Sequence, residues 1–165
     1  MFLTRVWRLA FPVPLFSTIM IHLIVFLALT GCSLGENGES KTRQVTFLPA
    51  NALLRAEVAD TEPAREKGLM FRTSMGENEG MIFYFDQTGY HAFYMYNTRI
   101  PLSVIFLNES LKIVDIQDMA PCKEQNPSAC PIYAPKAACS YAIEVNQQFV
   151  RKYGIKTGDL VRIKK

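Results

Sequence analysis

The sequence predicts a mainly β domain with two short helices (α+β), folded as a single antiparallel β sandwich or barrel-like unit. Three observations carry that prediction. Short segments with an apolar residue at every second position recur along the chain, which is the period of a strand with one buried face. Only two stretches hold helix start and stop signals, and both are short. The composition, 49% hydrophobic and 20% charged over 165 residues, excludes collagen-like, coiled-coil and strongly disordered chains and suits one domain of ordinary size.

The elements follow in order. Val45 to Leu48 and Leu53 to Val58 read as strands; in the second, Leu54, Ala56 and Val58 alternate with Arg55 and Glu57. Asp60-Thr61 offers a helix cap, Pro63 is tolerated only in a first turn, and Gly68 suits a C-terminal stop, so a helix is expected over about 62–68. Five further strands are expected at 81–85, 91–96, 102–107, 111–118 and 139–145, with Asn108-Glu109-Ser110 as a tight hairpin connection. Asn146 is placed to cap a second helix in which Phe149, Val150 and Tyr153 share a face, with Gly154 beyond it. Gly158-Asp159 turns into a last strand over 160–163.

The N-terminus reads as an address. Arg5 and Arg8 precede an apolar stretch from Leu15 to Leu29, the pattern of an export signal. It ends in Leu29-Thr30-Gly31-Cys32, which resembles the bacterial lipobox, a resemblance that implies cleavage before Cys32 and lipidation of its thiol and new amine. Two or more acyl chains hold a membrane stably where one holds marginally. An uncleaved helix over residues 11–29 is the competing reading, weakened by Pro12 and Pro14. Ser33, rather than an acid, implies by the same resemblance the periplasmic face of the outer membrane. The organisation expected is a lipoprotein signal peptide over 1–31, a polar tether over 32–43 and one β-rich domain over 44–165. Processing would remove two arginines and no acid, lowering the formal charge from +3 to +1, too little to suggest a nucleic-acid partner. It would also leave His91 as the one histidine.

Several blocks resemble a known family. Glu66-Lys67-Gly68-Leu69-Met70-Phe71-Arg72, then Glu77-Asn78-Glu79-Gly80-Met81-Ile82-Phe83, are similar to the "RGLMFR … ENEGMLF" signature of domain-of-unknown-function family 192. His91 to Thr98 and Ile100 to Phe106 are similar to its "FWMKNT" and "IPLDVIF" blocks, and the likeness continues through Cys122, Cys130 to Tyr133, Tyr141 to Val145 and Gly154 to Asp159. The resemblance spans about Leu53 to Val161 and implies a compact β-rich fold, often exported or lipid-anchored, with no settled activity. Two departures stand out: the family's lysine in "MKNT" is Tyr96 here, and its aspartate in "PLDV" is Ser103. Both charges vanish together, as they would if they pair with each other in relatives.

Candidate chemistry is sparse. Strand parity would put His91, Phe93, Met95 and Asn97 on one face, making His91 and Asn97 either the polar ends of a pocket rim or backbone caps at strand ends. Arg72 and Glu79 flank a loop, where the guanidinium either takes a carboxylate or phosphate bidentately or pairs with Glu79 or Glu77 and pins the loop. The acids Glu77 and Glu79 would suit glycoside hydrolysis only if a sugar fits between them. Tyr90, Tyr94 and Tyr96 form an aromatic cluster, a sugar-stacking surface or simple packing. With one mature histidine and no Cys-x-x-Cys, no metal site and no cofactor are expected. No phosphate loop and no nucleophile elbow is present. Cys122 and Cys130 bracket a polar loop that a disulfide would close in an oxidising compartment, and Cys139 reads as a buried thiol; pairing of Cys130 with Cys139 is the alternative.

The function expected is a lipid-anchored envelope module that binds a small ligand or envelope component where Arg72, Glu79, His91 and Asn97 converge. The alternative is a hydrolase or transferase acting on envelope polysaccharide. The membrane, through the Cys32 lipid, and envelope polysaccharide or another envelope protein are the partners foreseen.

Overall fold

The computed structural model describes residues 41–164. In chain order it contains β1 (Thr42–Leu48), β2 (Ala52–Ala59), α1 (Glu62–Lys67), β3 (Glu79–Gly89), β4 (Phe93–Tyr94), β5 (Leu102–Leu107), β6 (Ile113–Met119), a single 3-10 turn (Pro127–Ala129), β7 (Ile132–Tyr133), β8 (Cys139–Asn146), α2 (Gln147–Tyr153) and β9 (Leu160–Lys164). Seven strands form one sheet in the order β6-β5-β8-β3-β2-β1-β9, and β4 pairs with β7 in a separate two-stranded sheet. β1 begins at Thr42, within the stretch read as tether.

The large sheet curls on itself. A bridge between Lys112 and Leu160 joins its two outer strands at one end, and Ile113 N–H donates to Asp159 O (2.9 Å) while Val161 N–H donates to Leu111 O (2.9 Å). The curl is therefore a half-barrel, which is the barrel-like option of the sequence reading. All pairings but one are antiparallel; β2 and β3 run parallel, with Val58 opposite Ile82. A parallel pair cannot be joined by a tight turn and needs a crossover. That crossover, through α1 and the residues up to Asn78, is carried across one face of the sheet, and this is what builds the site described below.

Each face of the sheet has its own core, as the two-residue period of strands demands. Inside the curl, every strand contributes: Val45 and Phe47, Leu54, Ile82, Ile143, Ile105, Ile113 and Val161 pack with Phe149 of α2, whose ring meets Phe47 edge-on at 5.5 Å. Burying each such large side chain contributes about 1.5–3 kcal/mol. On the outer face Met81, Phe83, Leu102, Val104, Phe106 and Ala142 pack under Leu69, Met95 and Ile100 from the covering segments. β5, central and covered on both sides, is buried at all six positions.

Local chemistry accounts for the elements. Thr61 Oγ1 accepts from Ala64 N–H (3.4 Å) at the start of α1, and Pro63 sits in its first turn. Asn108 Oδ1 accepts from Ser110 and Lys112 N–H groups, holding the β5–β6 turn. Asn146 stands at the N-cap position of α2, yet its side chain donates to Gly76 O (2.8 Å) and Met75 O (3.3 Å) instead of capping. The strand expected over 91–96 shrinks to Phe93–Tyr94. Its partner β7 is only two residues long, and the chain turns at Asn97, whose φ is 54°. The alternation survives without the ladder: His91 and Phe93 are half-buried and Met95 buried, while Ala92 and Tyr94 are exposed.

Candidate functional site

Glu144 lies in the middle of β8 on the outer face of the sheet. Its neighbours across the sheet are apolar, Met81 on β3 and Val104 on β5. It is only 5% exposed, and among the described residues no hydrogen-bond donor meets its carboxyl. The crossover passes directly over it. A Cβ on Gly68 would lie 3.8 Å from Glu144 Oε2 and 3.6 Å from Phe83 Cζ, and Gly68 has φ 45°, a conformation that favours glycine. Burial pushes the Glu144 pKa up to about 8, against the pull of the Arg72 guanidinium, so the carboxyl is mostly protonated at neutral pH.

Above this carboxyl lies a cavity of about 710 Å3. That is the range of small-molecule sites. Phe83 and Glu144 contribute to it from the sheet; Glu62, Arg65, Glu66 and Lys67 come from α1, and Gly68 to Met70 follow. The opposite side is Phe85, Asp86 and Gln87 at the end of β3, with Tyr90 to Tyr94 and Thr98. β3 bends away here, because its register against β8 shifts between Tyr84 and Gly89. The aromatic rings interlock: Phe93 stands edge-on to Phe83 (5.0 Å) and to Phe106 (5.7 Å), and His91 stacks on Phe85 at 3.8 Å. Arg65 is held in place by donating to Tyr84 O (2.9 Å) and pairing with Asp86 (3.0 Å).

The four residues expected to converge do not. His91 lines this cavity, donating from Nε2 to Gln87 O (2.8 Å). Arg72 pairs with Glu57 on β2 at 2.6 Å, rather than with Glu77 or Glu79. It reaches the site only through its field at Glu144. Glu79 starts β3, where it pairs with Arg55 (3.0 Å) and accepts from Gly76 N–H (3.1 Å). Asn97 uses its backbone, its carbonyl accepting from Phe71 N–H (2.8 Å). Glu79 belongs to the sheet itself and the other three to separate stretches of the covering segments, so of the four only His91 lines the cavity.

The other candidates also find separate partners. Glu77 pairs with Lys152 of α2 at 2.6 Å, so Glu77 and Glu79 are each engaged by a cation on a different element. Tyr90 and Tyr94, 69% and 40% exposed, stand on the cavity rim, whereas Tyr96 donates its hydroxyl to Gln125 O (3.4 Å). Ser103 donates to Asp118 Oδ1 (2.6 Å), so positions 96 and 103 bond to different groups. Cys122 and Cys130 form a disulfide and Cys139 is a buried free thiol whose pKa burial raises. Cys139 packs on the outer face, not with Ile143 and Val145, because of the register shift opposite it. Among the described residues no group of three or more His, Cys, Asp or Glu side chains is arranged to hold a metal ion. No described helix is long and apolar enough to cross a membrane. Cys32 and its apolar leader lie outside the described residues.

Glu144 itself escaped the sequence reading. The strand expected over 139–145 contains Glu144, but nothing in the reading of that strand singles it out. The available signal was a lone acid in an otherwise apolar run, whose meaning depends on a sheet pairing that sequence does not reveal.

Comparison with known proteins agrees with this fold. No curated protein gives a significant match. Among solved structures, a protein of Sinorhizobium meliloti 1021 described as a candidate transcription regulator is 26% identical, with a TM-score of 0.67 over 75% of this chain and 95% of that one. A protein of unknown function from Novosphingobium aromaticivorans DSM 12444 is 32% identical, with a TM-score of 0.64 over 73% of this chain and 83% of that one. The family model for DUF192, Uncharacterized ACR, matches residues 45–163, nearly the whole of the described domain, and the chain belongs to that family.

Proposed function

We propose that this DUF192 domain is an exported, lipid-anchored binding module that takes a small ligand into the cavity above Glu144. The observation that carries the reading is a carboxyl that is buried, without a hydrogen-bond donor, and open to a cavity of about 710 Å3. Among the described residues every fully buried side-chain polar atom has a partner, so the unbonded Glu144 oxygens face the cavity, where an occupant can supply one. The export part rests on the lipobox-like Leu29-Thr30-Gly31-Cys32, with the periplasmic face of the outer membrane as the location that Ser33 suggests. It is supported by a Cys122–Cys130 disulfide, a bond that persists in oxidising compartments.

A second reading has one observation in its favour. A carboxyl protonated at neutral pH is in the state a general acid needs. A hydrolase or transferase acting on envelope polysaccharide would use Glu144 in that role, with Tyr90 and Tyr94 as stacking surfaces. A melting screen of the full chain in detergent against small metabolites separates the two. A binding module shows ligand-dependent stabilisation that Glu144→Gln removes, with no turnover of cell-wall polymer; turnover abolished by Glu144→Gln overturns the binding reading in favour of the enzyme. Intact-mass measurement of native material should find residues 1–31 absent and Cys32 acylated, and an unprocessed chain overturns the export part.

A further inference from the structure

We infer that the ligand of this cavity is a small organic ammonium, whose N–H groups meet the Glu144 carboxyl while its apolar body lies among Phe83, Phe85 and Phe93. The inference rests on the small-ligand reading and adds the chemical class. The first ground is the missing partner. The Glu144 side chain is largely buried and its oxygens open only toward the cavity, so a hydrogen-bond partner has to come from the cavity's occupant, and a cationic donor also compensates the charge of the carboxylate. The second is the aromatic lining beside it, whose ring faces attract cations.

The third ground is the charge of the walls. From α1, Glu62 and Glu66 oppose Lys67 and Arg65, but Arg65 is already committed to Asp86 and the Tyr84 carbonyl. β5 presents only Val104 to Glu144, and β3 presents Met81. Arg72, from the crossover, is paired with Glu57 of β2. His91 and the two rim tyrosines complete the polar surround. The lining thus carries more acid than uncommitted base, which disfavours an anion and favours a cation. Entry of the ammonium converts Glu144 from acid to carboxylate, and its proton leaves to solvent.

Benzylamine, with neutral benzyl alcohol and anionic benzoate as near-isosteric controls, tests this by calorimetry on the full chain in non-ionic detergent. Two buffers of different ionisation enthalpy read the proton released. Benzylamine should bind at least ~10-fold more tightly than either control, releasing about 0.9 proton at about pH 7 given a Glu144 pKa of about 8. Its affinity should rise ~10-fold or more from about pH 6.5 to about pH 8.5, while the amine itself stays charged. Glu144→Gln should abolish both the proton release and the pH dependence. Equal or tighter binding of a control, or benzylamine binding without proton release, overturns the ammonium assignment and leaves the small-ligand reading standing. Silence from all three probes also overturns it, and the melting screen decides the broader reading separately. Should Glu144→Gln fail to fold, the two-buffer result on the unaltered protein still decides.

Discussion

At the scale of single residues, Glu144 dominates the behaviour of the domain with pH. Its folded pKa, about 8, lies above the ordinary carboxylate value of 4.5, so between those limits the folded chain holds a proton that the unfolded chain has lost. Stability from this group is therefore full below about pH 4.5, falls as pH rises, and stops falling above about pH 8. The total is on the order of 4–5 kcal/mol for so buried a group. Glu144→Gln should accordingly melt several degrees above the parent at about pH 8.5 and close to it at about pH 5, in paired thermal melts. Arg72→Met removes the cation that draws the Glu144 pKa down. The Glu144 titration, followed by carboxyl NMR, should then move to higher pH. A single sequence conveys little of this. His91 and Arg72 were visible as candidates because polar residues beside recognisable blocks invite attention, whereas Glu144 owes its character to Met81, Val104 and Gly68, none adjacent to it in the chain.

At the scale of elements, the strands of the large sheet and both helices were legible, because each depends on local chemistry: alternation for β2 and β5, Thr61, Pro63 and Gly68 for α1, the Phe149 face for α2. What stayed illegible is which strands meet. The β3–β8 pairing brings Gly80 so close to β8 that a Cβ there would run into the Glu144 carbonyl oxygen. Gly80→Ala should cost about 1–3 kcal/mol in a denaturant melt by forcing the two strands apart. The 91–96 segment was misjudged in length for the same reason, since its extent is set by β7 rather than by its own residues. β7 follows directly on the Cys122–Cys130 disulfide, and β4, its partner, supplies Phe93 and Tyr94 to the cavity. Cys122→Ser should cost about 2–3 kcal/mol by the loop-entropy argument and weaken ligand-dependent stabilisation, both readable in the same melting series.

At the scale of the whole molecule, the barrel option of the sequence reading holds, in the form of a curl sealed at one end. The seal joins the β5–β6 turn to β9, and β9 also covers β1. Removing residues 160–164 should expose both the β1 edge and the inner core. The outcome expected is loss of the cooperative unfolding transition in near-ultraviolet circular dichroism, not a modest drop in its midpoint.

That arrangement also sets an order of events. In a chain delivered from its N-terminal side, the β6-β5 and β3-β2-β1 parts of the sheet join only when β8 arrives, and β9 follows after one short helix. Until residues 160–164 arrive, β1 has only β2 beside it and the turn at Lys112 lacks its Leu160 bridge. The closure of the curl is therefore the last step available to the described domain, after every other strand of the sheet has been delivered.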